Sequence, residues 1–224
     1  MSAIFISATG TDIGKTFVAR GLIRALCARG RKVAALKPIM SGFEPAEAGG
    51  SDAGLLLAAL GEPVTLEAIA GMSPWRFALP LSPDMAAARE ARTLDFPAIV
   101  DFCRTAIAAS RDTLVIEGVG GIMTPIDNEH TVLDWMSALG LPIILVAGSY
   151  LGTISHTLTA LDVLGRRRIS VTSLVVSQTA GSLVSLDETR SAIARFASQL
   201  DIVALPRLTA SLDHPAFERI ADRV

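Results

Sequence analysis

Short apolar runs alternate with longer segments of helical periodicity along this chain. Six runs are mostly continuous in their apolar residues rather than alternating, which is the pattern of strands covered on both faces. These predicted strands are Ile4–Ser7, Lys32–Leu36, Thr113–Ile116, Pro142–Ala147, Val171–Val176 and Ile202–Ala204. Segments with apolar residues three or four positions apart predict helices at Thr16–Ala28, Ser51–Leu60, Phe96–Ala109, Val132–Leu139, Thr153–Leu164 and Leu186–Gln199.

The alternation of strands and helices predicts an α/β fold built on a mostly parallel sheet with helices on both faces. No linker, repeat or low-complexity segment interrupts it, so we expect residues 1–224 to form a single domain. The longest irregular stretch, Gly61 to Pro83, is rich in proline and glycine and is predicted to be a structured loop near the site. Ligands of such sheets bind beyond the carboxyl ends of the strands.

The first strand leads into a glycine-containing loop that ends in Gly14-Lys15-Thr16 and opens a helix. This strand–loop–helix context is that of a phosphate-binding P-loop, in which backbone N–H groups hold phosphates, the lysine reaches the terminal phosphates and the threonine binds Mg²⁺. The match is imperfect, because Thr9 stands where the usual pattern has its first glycine and Gly10 follows one place later. Nucleotide binding is the favoured interpretation over an ordinary strand–helix turn.

Charged residues follow two further strands. Lys37 comes directly after the second strand and could neutralise a transferring phosphoryl group, or could simply be a solvated lysine. Glu117 ends the apolar third strand in the manner of a Walker B acid, and opposite Thr16 it would complete an Mg²⁺ site that has few protein ligands. Asp52 opens a helix next to the N-cap candidate Ser51, so a helix-capping role competes with a metal role there.

Two glycine-flanked segments add further anion-binding and close-approach positions. Gly118, Gly120 and Gly121 follow Glu117 and would let the backbone approach a ligand. The segment Gly148 to Ser155 is a second helix start with free N–H groups for an anion. His156, one turn into that helix, is expected to be structural, because it has no acid partner in sequence reach.

Composition narrows the class of protein. Half of the 224 residues are hydrophobic and the formal net charge is −2, which favours a folded globular chain and gives no nucleic-acid footprint. The apolar runs are too short to cross a bilayer, and the N-terminus has no positively charged leader, so no membrane partner is expected. Cys27 and Cys103 are both expected to be buried thiols of a reduced, cytoplasmic protein.

Several motifs together resemble one enzyme family. Lys37-Pro38-x-x-Ser41-Gly42, Ser51-Asp52-Ala53, Pro80-x-Ser82-Pro83, Glu117-Gly118-x-Gly120-Gly121 with Pro125, Asp134-Trp135 and Leu151-Gly152-x-Ile154-x-His156 occur in order over residues 1 to about 206. This set resembles dethiobiotin synthetase, an ATP-dependent P-loop enzyme of biotin synthesis. The glycine-lysine-threonine and glutamate-glycine elements also occur in other P-loop amide-forming enzymes, whereas the Lys37 and Pro80 motifs are more specific.

The resemblance implies a substrate, a reaction and a homodimer. In the family, one amine of 7,8-diaminononanoate takes up CO₂ to form a carbamate, ATP phosphorylates it, and the second amine closes the ring and expels phosphate. The implied catalytic residues are Lys37, Lys15 and Thr11. The implied nucleotide contacts are Asp12, Ile13, Gly14, Lys15, Thr16, Phe17, Ser177 and Pro206, and the implied Mg²⁺ ligands are Thr16, Asp52 and Glu117. Substrate contacts would come from Ser41, Gly118, Gly152, Thr153, Ile154 and Ser155, the last four from the partner subunit.

Four positions depart from the family pattern. Ala8 replaces the first loop glycine, Asp84 replaces a histidine, and Ser155 replaces an asparagine. Ser177 replaces the asparagine that reads the adenine edge, so we expect weak selection among nucleotide bases.

Other classes share parts of this pattern. A partitioning or septum-positioning switch ATPase shares the P-loop, but it usually has an additional lysine where Gly10 stands here. An amidotransferase-type cobyrinate synthetase needs a further glutaminase domain, for which 224 residues leave no room. A nucleotide-binding module without catalysis would not need Lys37 and Ser41.

Overall fold

The computed structural model describes residues 2–208 and 212–224. The strands are β1 Ser2–Ala8, β2 Val33–Leu36, β3 Ile39–Ser41, β4 Trp75–Phe77, β5 Thr113–Glu117, β6 Ile143–Ala147, β7 Val171–Ser177 and β8 Ile202–Leu205. The α-helices are α1 Lys15–Ala28, α2 Asp52–Leu60, α3 Leu66–Met72, α4 Pro83–Arg89, α5 Phe96–Ala109, α6 Val132–Leu139, α7 Thr153–Arg166, α8 Leu186–Ala194 and α9 Pro215–Ala221. A 3₁₀ segment occupies Pro45–Gly50.

Six strands form a parallel sheet in the order β2-β5-β1-β6-β7-β8. β1 lies in its interior, paired with β5 on one side and β6 on the other, so the loop that follows β1 leaves from the middle of the sheet. The carboxyl ends of all six strands therefore meet at one edge, where ligands of open α/β sheets bind.

Side chains of successive residues point to opposite faces of the sheet and enter two separate cores. Phe5 and Ile116 join the core that packs against α5 to α8, in which Phe5 meets Trp135 edge-on at 5.0 Å between ring centroids. Ile4, Ile6 and Val115 join the opposite core, which packs against α1, α2 and α9. Helices cover both faces, so the predicted fold class is confirmed.

The stretch Gly61 to Pro83 was predicted as a loop, and this prediction is wrong. It contains α3 and β4, and β4 pairs in parallel with β3 to form a small second sheet. The side chain of Thr65 caps α3 by accepting from Ala68 N. Elements of three and seven residues are too short to show a period, and the flanking Gly61 and Pro74 obscured them.

Smaller differences also have a local cause. The last predicted helix ends at Ala194 rather than Gln199. Cys27 was expected to be buried but lies exposed near the C-terminal end of α1, whereas Cys103 is buried as expected. The difference arises because Cys27 comes after the buried residues Ile23 and Leu26 and lies at the polar end of the helix. Ala8 is the last residue of β1 and is fully buried.

Candidate active site

The loop after β1 has the backbone conformation of a phosphate-binding loop. Asp12 and Gly14 have φ values of 56° and 100°, and α1 begins directly after Gly14. A Cβ atom on Gly14 would lie 2.9 Å from Ser177 Oγ, so glycine is needed here both for the positive φ and for the close neighbour. The first N–H groups of α1 are thus directed at the cleft above the sheet, where an anion can bind.

The loop after β5 supports the phosphate loop through the backbone. Ile122 N donates a hydrogen bond to Ala8 O at 3.0 Å. A Cβ atom on Gly121 would lie 3.2 Å from Gly10 Cα, so the two backbones are nearly in contact. Ala8, which differs from the family's glycine, lies in the strand and not in the loop itself.

A cleft of about 900 Å³ opens above these loops. Nine residues predicted to bind ligands line it: Thr11, Asp12, Gly14, Lys15, Thr16, Phe17, Lys37, Ser41 and Asp52. The strand-end rule therefore identified most of one wall. The lining also includes Pro80, Ser82 and Pro83, which the motif contained without an assigned role, together with Phe43 and Thr124, which sequence reasoning missed.

Lys37 lies at the base of the cleft in a nearly complete cage of acceptors. Its Nζ is 2.7 Å from Glu117 Oε1, 2.8 Å from Asp52 Oδ2 and 2.8 Å from the carbonyl oxygen of Gly118. Lys37 and Glu117 are 2% and 0% exposed. All three ammonium protons thus have partners, which is the condition for a buried charge to be stable.

Thr16 joins the same cluster from the start of α1. Its Oγ1 lies 2.7 Å from Asp52 Oδ1 and 2.7 Å from Glu117 Oε1. A hydroxyl group has one proton and can donate only one of these two hydrogen bonds. Glu117 Oε2 is buried and has no hydrogen-bond partner. Three oxygen-bearing groups therefore converge with acceptor capacity to spare.

The charges of the cluster are strongly coupled. Burial lowers the pKa of Lys37, but the adjacent Glu117 and Asp52 carboxylates outweigh burial and raise this pKa above its ordinary value. Burial raises the pKa of Asp52, but Lys37 and Thr16 outweigh it, so the net pKa is lowered. Burial raises the pKa of Glu117, against the opposing effect of Lys37. Lys37 therefore stays charged between its two acids.

Lys15 has a different environment although it lies close by. Its Nζ is 3.4 Å from the carbonyl oxygen of Gly10. Desolvation and the Lys37 ammonium lower its pKa to about 8. Lys15 and Lys37 are 8% and 2% exposed, so Lys37 is not the solvated lysine that was one alternative from the sequence. The loop backbone and the carboxylates that surround them explain the burial, which single-residue patterns do not show.

The predicted substrate-binding helix start does not line this cleft. Gly152 has a φ of 94° and opens α7, and Thr153 Oγ1 donates to Gly148 O at 2.7 Å. Ile154 and Ser155 are exposed, and Leu151 is 99% exposed. His156 Nδ1 lies 2.9 Å from Tyr150 Oη, which fits the expected structural role. These residues lie at the carboxyl edge of the sheet, beyond the end of β6.

Ser177, Gln178 and Pro206 lie together after β7 and β8. Ser177 ends β7 beside Gly14, opposite Leu205 in the β7–β8 register. Gln178 Oε1 accepts a hydrogen bond from Arg207 N at 3.0 Å, so its amide oxygen is engaged by the backbone. A base-reading role for this group of residues stays a prediction.

The oxygen ligands around Thr16 fit a small divalent cation better than a transition metal. Among residues 2–208 and 212–224, no group of three or more histidine, cysteine and acidic side chains could hold a metal ion. Asp52, Glu117 and Thr16 provide two carboxylates and one hydroxyl, and Glu117 Oε2 is buried without a partner. Mg²⁺ is commonly bound by one or two carboxylates plus substrate phosphates and water.

Comparison with known proteins supports one family. A family model described as an AAA domain matches residues 2–214. The chain is 50% identical over 202 residues to ATP-dependent dethiobiotin synthetase BioD of Methylobacterium nodulans, covering 88% of this chain and 90% of that protein. It is 48% identical over 196 residues to the protein of the same name from Acidiphilium cryptum, covering 87% and 88%. The chain belongs to the dethiobiotin synthetase family.

Solved structures resemble this dethiobiotin synthetase family member in fold alone. The cell division ATPase MinD of Pyrococcus furiosus aligns with a TM-score of 0.57 at 16% identity, covering all of this chain and 98% of that one. The MinC:MinD complex of Aquifex aeolicus gives 0.54 at 10% identity, covering 98% and 86%. The P-loop architecture is confirmed. The septum-positioning alternative has only this fold-level likeness, whereas the dethiobiotin synthetases match at 48–50% identity, so the chain is an ATP-dependent ligase.

Membrane association through a spanning helix was not expected. Across the part of the chain that the structure covers, none of the helices combines the length and apolar character needed to traverse a bilayer.

Proposed function

We propose that this chain, acting as a single domain, carboxylates 7,8-diaminononanoate with CO₂ and closes the ureido ring of dethiobiotin. One substrate amine adds to CO₂ and forms a carbamate. A carbamate oxygen then attacks the γ-phosphorus of ATP, giving a carbamic–phosphoric anhydride and ADP. The second amine attacks the anhydride carbon and expels phosphate, which closes the ring. The chain's own part is to position these groups, to supply fixed positive charge and to exclude water.

One observation carries the proposal: two buried ammonium groups, Lys15 and Lys37, border the same cleft as the phosphate loop. A phosphoryl transfer to a carbamate gathers negative charge on several oxygens at once, and preorganised cations stabilise that charge most strongly where water is excluded. We assign Lys15 and Thr11 to the phosphates, and Lys37 and Ser41 to the carbamate and the γ-phosphoryl group.

Thr16, Asp52 and Glu117 are the proposed holders of Mg²⁺. The unpartnered Glu117 Oε2 and the convergence of three oxygen-bearing groups support this assignment. When bound, the cation would neutralise phosphate charge during the transfer. Asp52 also opens α2, but Ser51 Oγ is the group that accepts from Gly54 N and caps that helix. The Asp52 carboxylate is therefore free to face the cluster.

The nucleoside end is assigned to the side of the phosphate loop on which Gly14 adjoins Ser177. We assign Phe17 and Pro206 to the same end, where Pro206 would pack against the base. Since Ser177 has a short hydroxyl in place of an asparagine amide, we propose weak discrimination among bases, with the Gln178 amide as the nearest alternative donor.

We also propose a homodimer in which the start of α7 completes the partner's site. Gly152 to Ser155 present helix N–H groups that suit the substrate carboxylate, yet they do not line the cleft of their own chain. Leu151 and Leu183 are fully exposed nearby, and the loops that carry them are joined by hydrogen bonds between Ser149 and Thr179. Exposed apolar residues of this kind mark interaction surfaces.

The direct test is incubation with diaminononanoate, bicarbonate and MgATP, with dethiobiotin measured by mass. Lys15→Ala and Lys37→Ala should each lower turnover roughly 10²-fold or more, because each removes a charge that acts on the transferring group. The matched control is Lys32→Ala, since Lys32 is the one other lysine of the chain and is exposed just before β2. ATP hydrolysis that ignores diaminononanoate but responds to DNA or lipid would replace this proposal with a switch ATPase.

The shared site is tested by mixing two inactive chains. Lys15→Ala disables the phosphate loop, and Gly152→Asp places a carboxylate against the substrate carboxylate. Gly152→Asn is the neutral control, since asparagine and aspartate tolerate the positive φ about equally. Mixed protein should regain part of its activity through hybrid sites. Full activity in a monomer, measured by light scattering at assay concentration, would refute sharing.

A further inference from the structure

Lys37 occupies the acidic pair to which the metal ion is assigned. Its three N–H groups point to Glu117, Asp52 and the Gly118 carbonyl, so no donor is left for a substrate. One of these acceptors, Glu117 Oε1, is also the atom that Thr16 contacts at 2.7 Å. The Lys37 ammonium, which is expected to meet the carbamate, is therefore held by the two carboxylates and the Gly118 carbonyl in this arrangement.

The charge balance argues against simultaneous occupancy. Two carboxylates and one ammonium leave the cluster with a formal charge of −1 if both acids are ionised. A divalent cation beside that ammonium would meet a repelling charge, and water screens this repulsion little at Lys37 and Glu117, which are 2% and 0% exposed, and more at Asp52, whose side chain is 41% exposed. The ammonium occupies Asp52 Oδ2 and Glu117 Oε1 and leaves Glu117 Oε2 without a partner, so a divalent cation that is held closely by both carboxylates requires the ammonium to move.

The Lys37 ammonium can move into the cleft. Its side chain lies at the wall of the 900 Å³ cleft, on the same side as Lys15 and Ser41. Four rotatable bonds in the lysine stem allow the ammonium to move without a backbone change. Phosphate oxygens of a bound nucleotide would offer it new acceptors in place of the carboxylates.

We infer that Lys37 is the resident cation of the metal site in the nucleotide-free protein, and that it yields Asp52 and Glu117 only when magnesium and nucleotide enter together. The inference rests on the magnesium part of the proposed function. It assigns Lys37 a second role, in loading the site: free Mg²⁺ binds poorly, and the ammonium becomes available to the substrate only once ATP is in place. Metal and nucleotide thus load before the carbamate can be engaged.

The experiment measures Mn²⁺ binding to the full chain by the loss of the free-ion electron paramagnetic resonance signal, with and without ADP, and the ADP samples are compared with a protein-free Mn²⁺–ADP solution. Without ADP, Lys37→Met should bind Mn²⁺ at least about tenfold more tightly than the native chain. The matched control is Lys15→Met, which removes another buried cation near the cluster, but one whose Nζ hydrogen bond goes to Gly10 O. That variant should stay within about threefold of the native chain.

Each outcome decides between the two proposals. Equal Mn²⁺ affinity in the native chain and Lys37→Met, with tight binding when ADP is added, overturns the inference and leaves the metal assignment standing. An equal gain of Mn²⁺ affinity in Lys15→Met and Lys37→Met overturns the inference as well, because removal of any nearby positive charge would then explain the gain. No Mn²⁺ binding in any protein, even with ADP, overturns the inference and the magnesium part of the proposed function together.

A measurement on the native chain covers the case in which Lys37→Met fails to fold. The chain has only three lysines, Lys15, Lys32 and Lys37, so a ¹⁵N-lysine-labelled sample has three ammonium signals to assign. The Lys37 signal should be protected from exchange with water in the free protein, unchanged by MgCl₂ alone, and shifted by MgADP. A Lys37 signal that MgADP does not move, while the Lys15 signal moves, overturns the inference.

Discussion

Nucleotide binding by this chain should depend on pH through Lys15. Desolvation and the neighbouring Lys37 ammonium lower the pKa of Lys15 from 10.5 to about 8. Phosphate is held by the charged form, which makes up about 90% of the free protein at pH 7 and about 10% at pH 9. We therefore expect the association constant for ADP to fall about tenfold between pH 7 and pH 9, with proton uptake on binding.

The same shift predicts the opposite trend for the stability of the nucleotide-free protein. Between pH 8 and 10.5 the unfolded lysine still holds the proton that the folded one has lost. The unfolded state then binds more protons, so the free energy of unfolding rises with pH. The 8% exposed side chain is little screened, and the rise attributable to Lys15 amounts to about 3 kcal/mol across this window.

Two assays follow these opposite trends. Isothermal calorimetry with metal-free ADP, in buffers of different ionisation enthalpy, gives the association constant and the proton uptake. Urea unfolding gives the stability. Lys15→Arg is the control, because an arginine stays charged throughout and the nucleotide titrates identically in both proteins. If native and Lys15→Arg chains lose ADP affinity in parallel from pH 7 to 9, Lys15 is not the titrating group and the reasoning fails.

Three further predictions concern single positions. Glu117→Gln should raise the Mg²⁺ concentration needed for half-maximal turnover. Asp52→Asn should have the same effect if Asp52 is a metal ligand. An unchanged Mg²⁺ titration in Asp52→Asn would show that the Asp52 carboxylate contacts only Lys37 and Thr16. A thiol reagent at pH 8 should modify the exposed Cys27 in the native protein. Cys103, whose burial raises its pKa to about 12, should react only after the protein is unfolded. Reaction of two thiols in the native state would contradict the packing. The native preference for ATP over CTP or GTP should be roughly tenfold and should increase in Ser177→Asn, whereas a thousandfold native preference would show that another group reads the base.

The sheet and the residues after its strands could be predicted because both follow from local pattern. Continuous apolar runs identified the six strands of the main sheet, and the strand-end rule then brought Thr16, Lys37 and Glu117 to one edge. Asp52 was ambiguous from sequence, since an acid at a helix start has an ordinary explanation. Its contact with Lys37 is visible only in three dimensions, and its metal role stays a prediction.

The remainder of the cleft could not be predicted, because it depends on contacts between distant segments. The β3–β4 pair and α4 bring the Pro80 to Pro83 stretch to the cleft that the phosphate loop also lines, and neither short strand has a readable period. Burial of Lys37 depends on the Gly118 carbonyl, which has no side-chain signature. Thr124 lines the cleft and its Oγ1 accepts from Gly121 N at 2.7 Å, a local turn that only the backbone geometry reveals.

The near contact between Gly10 and Gly121 ties the phosphate loop to the loop after β5, and this part of the molecule resists redesign. On the phosphate side, backbone meets backbone, so a side chain at position 121 would have to move the phosphate loop itself. The part of the lining around Phe43 and Pro80 to Pro83 lies in loops and at the start of α4. Redesign of the cleft should therefore vary that part of the lining and keep glycine at position 121.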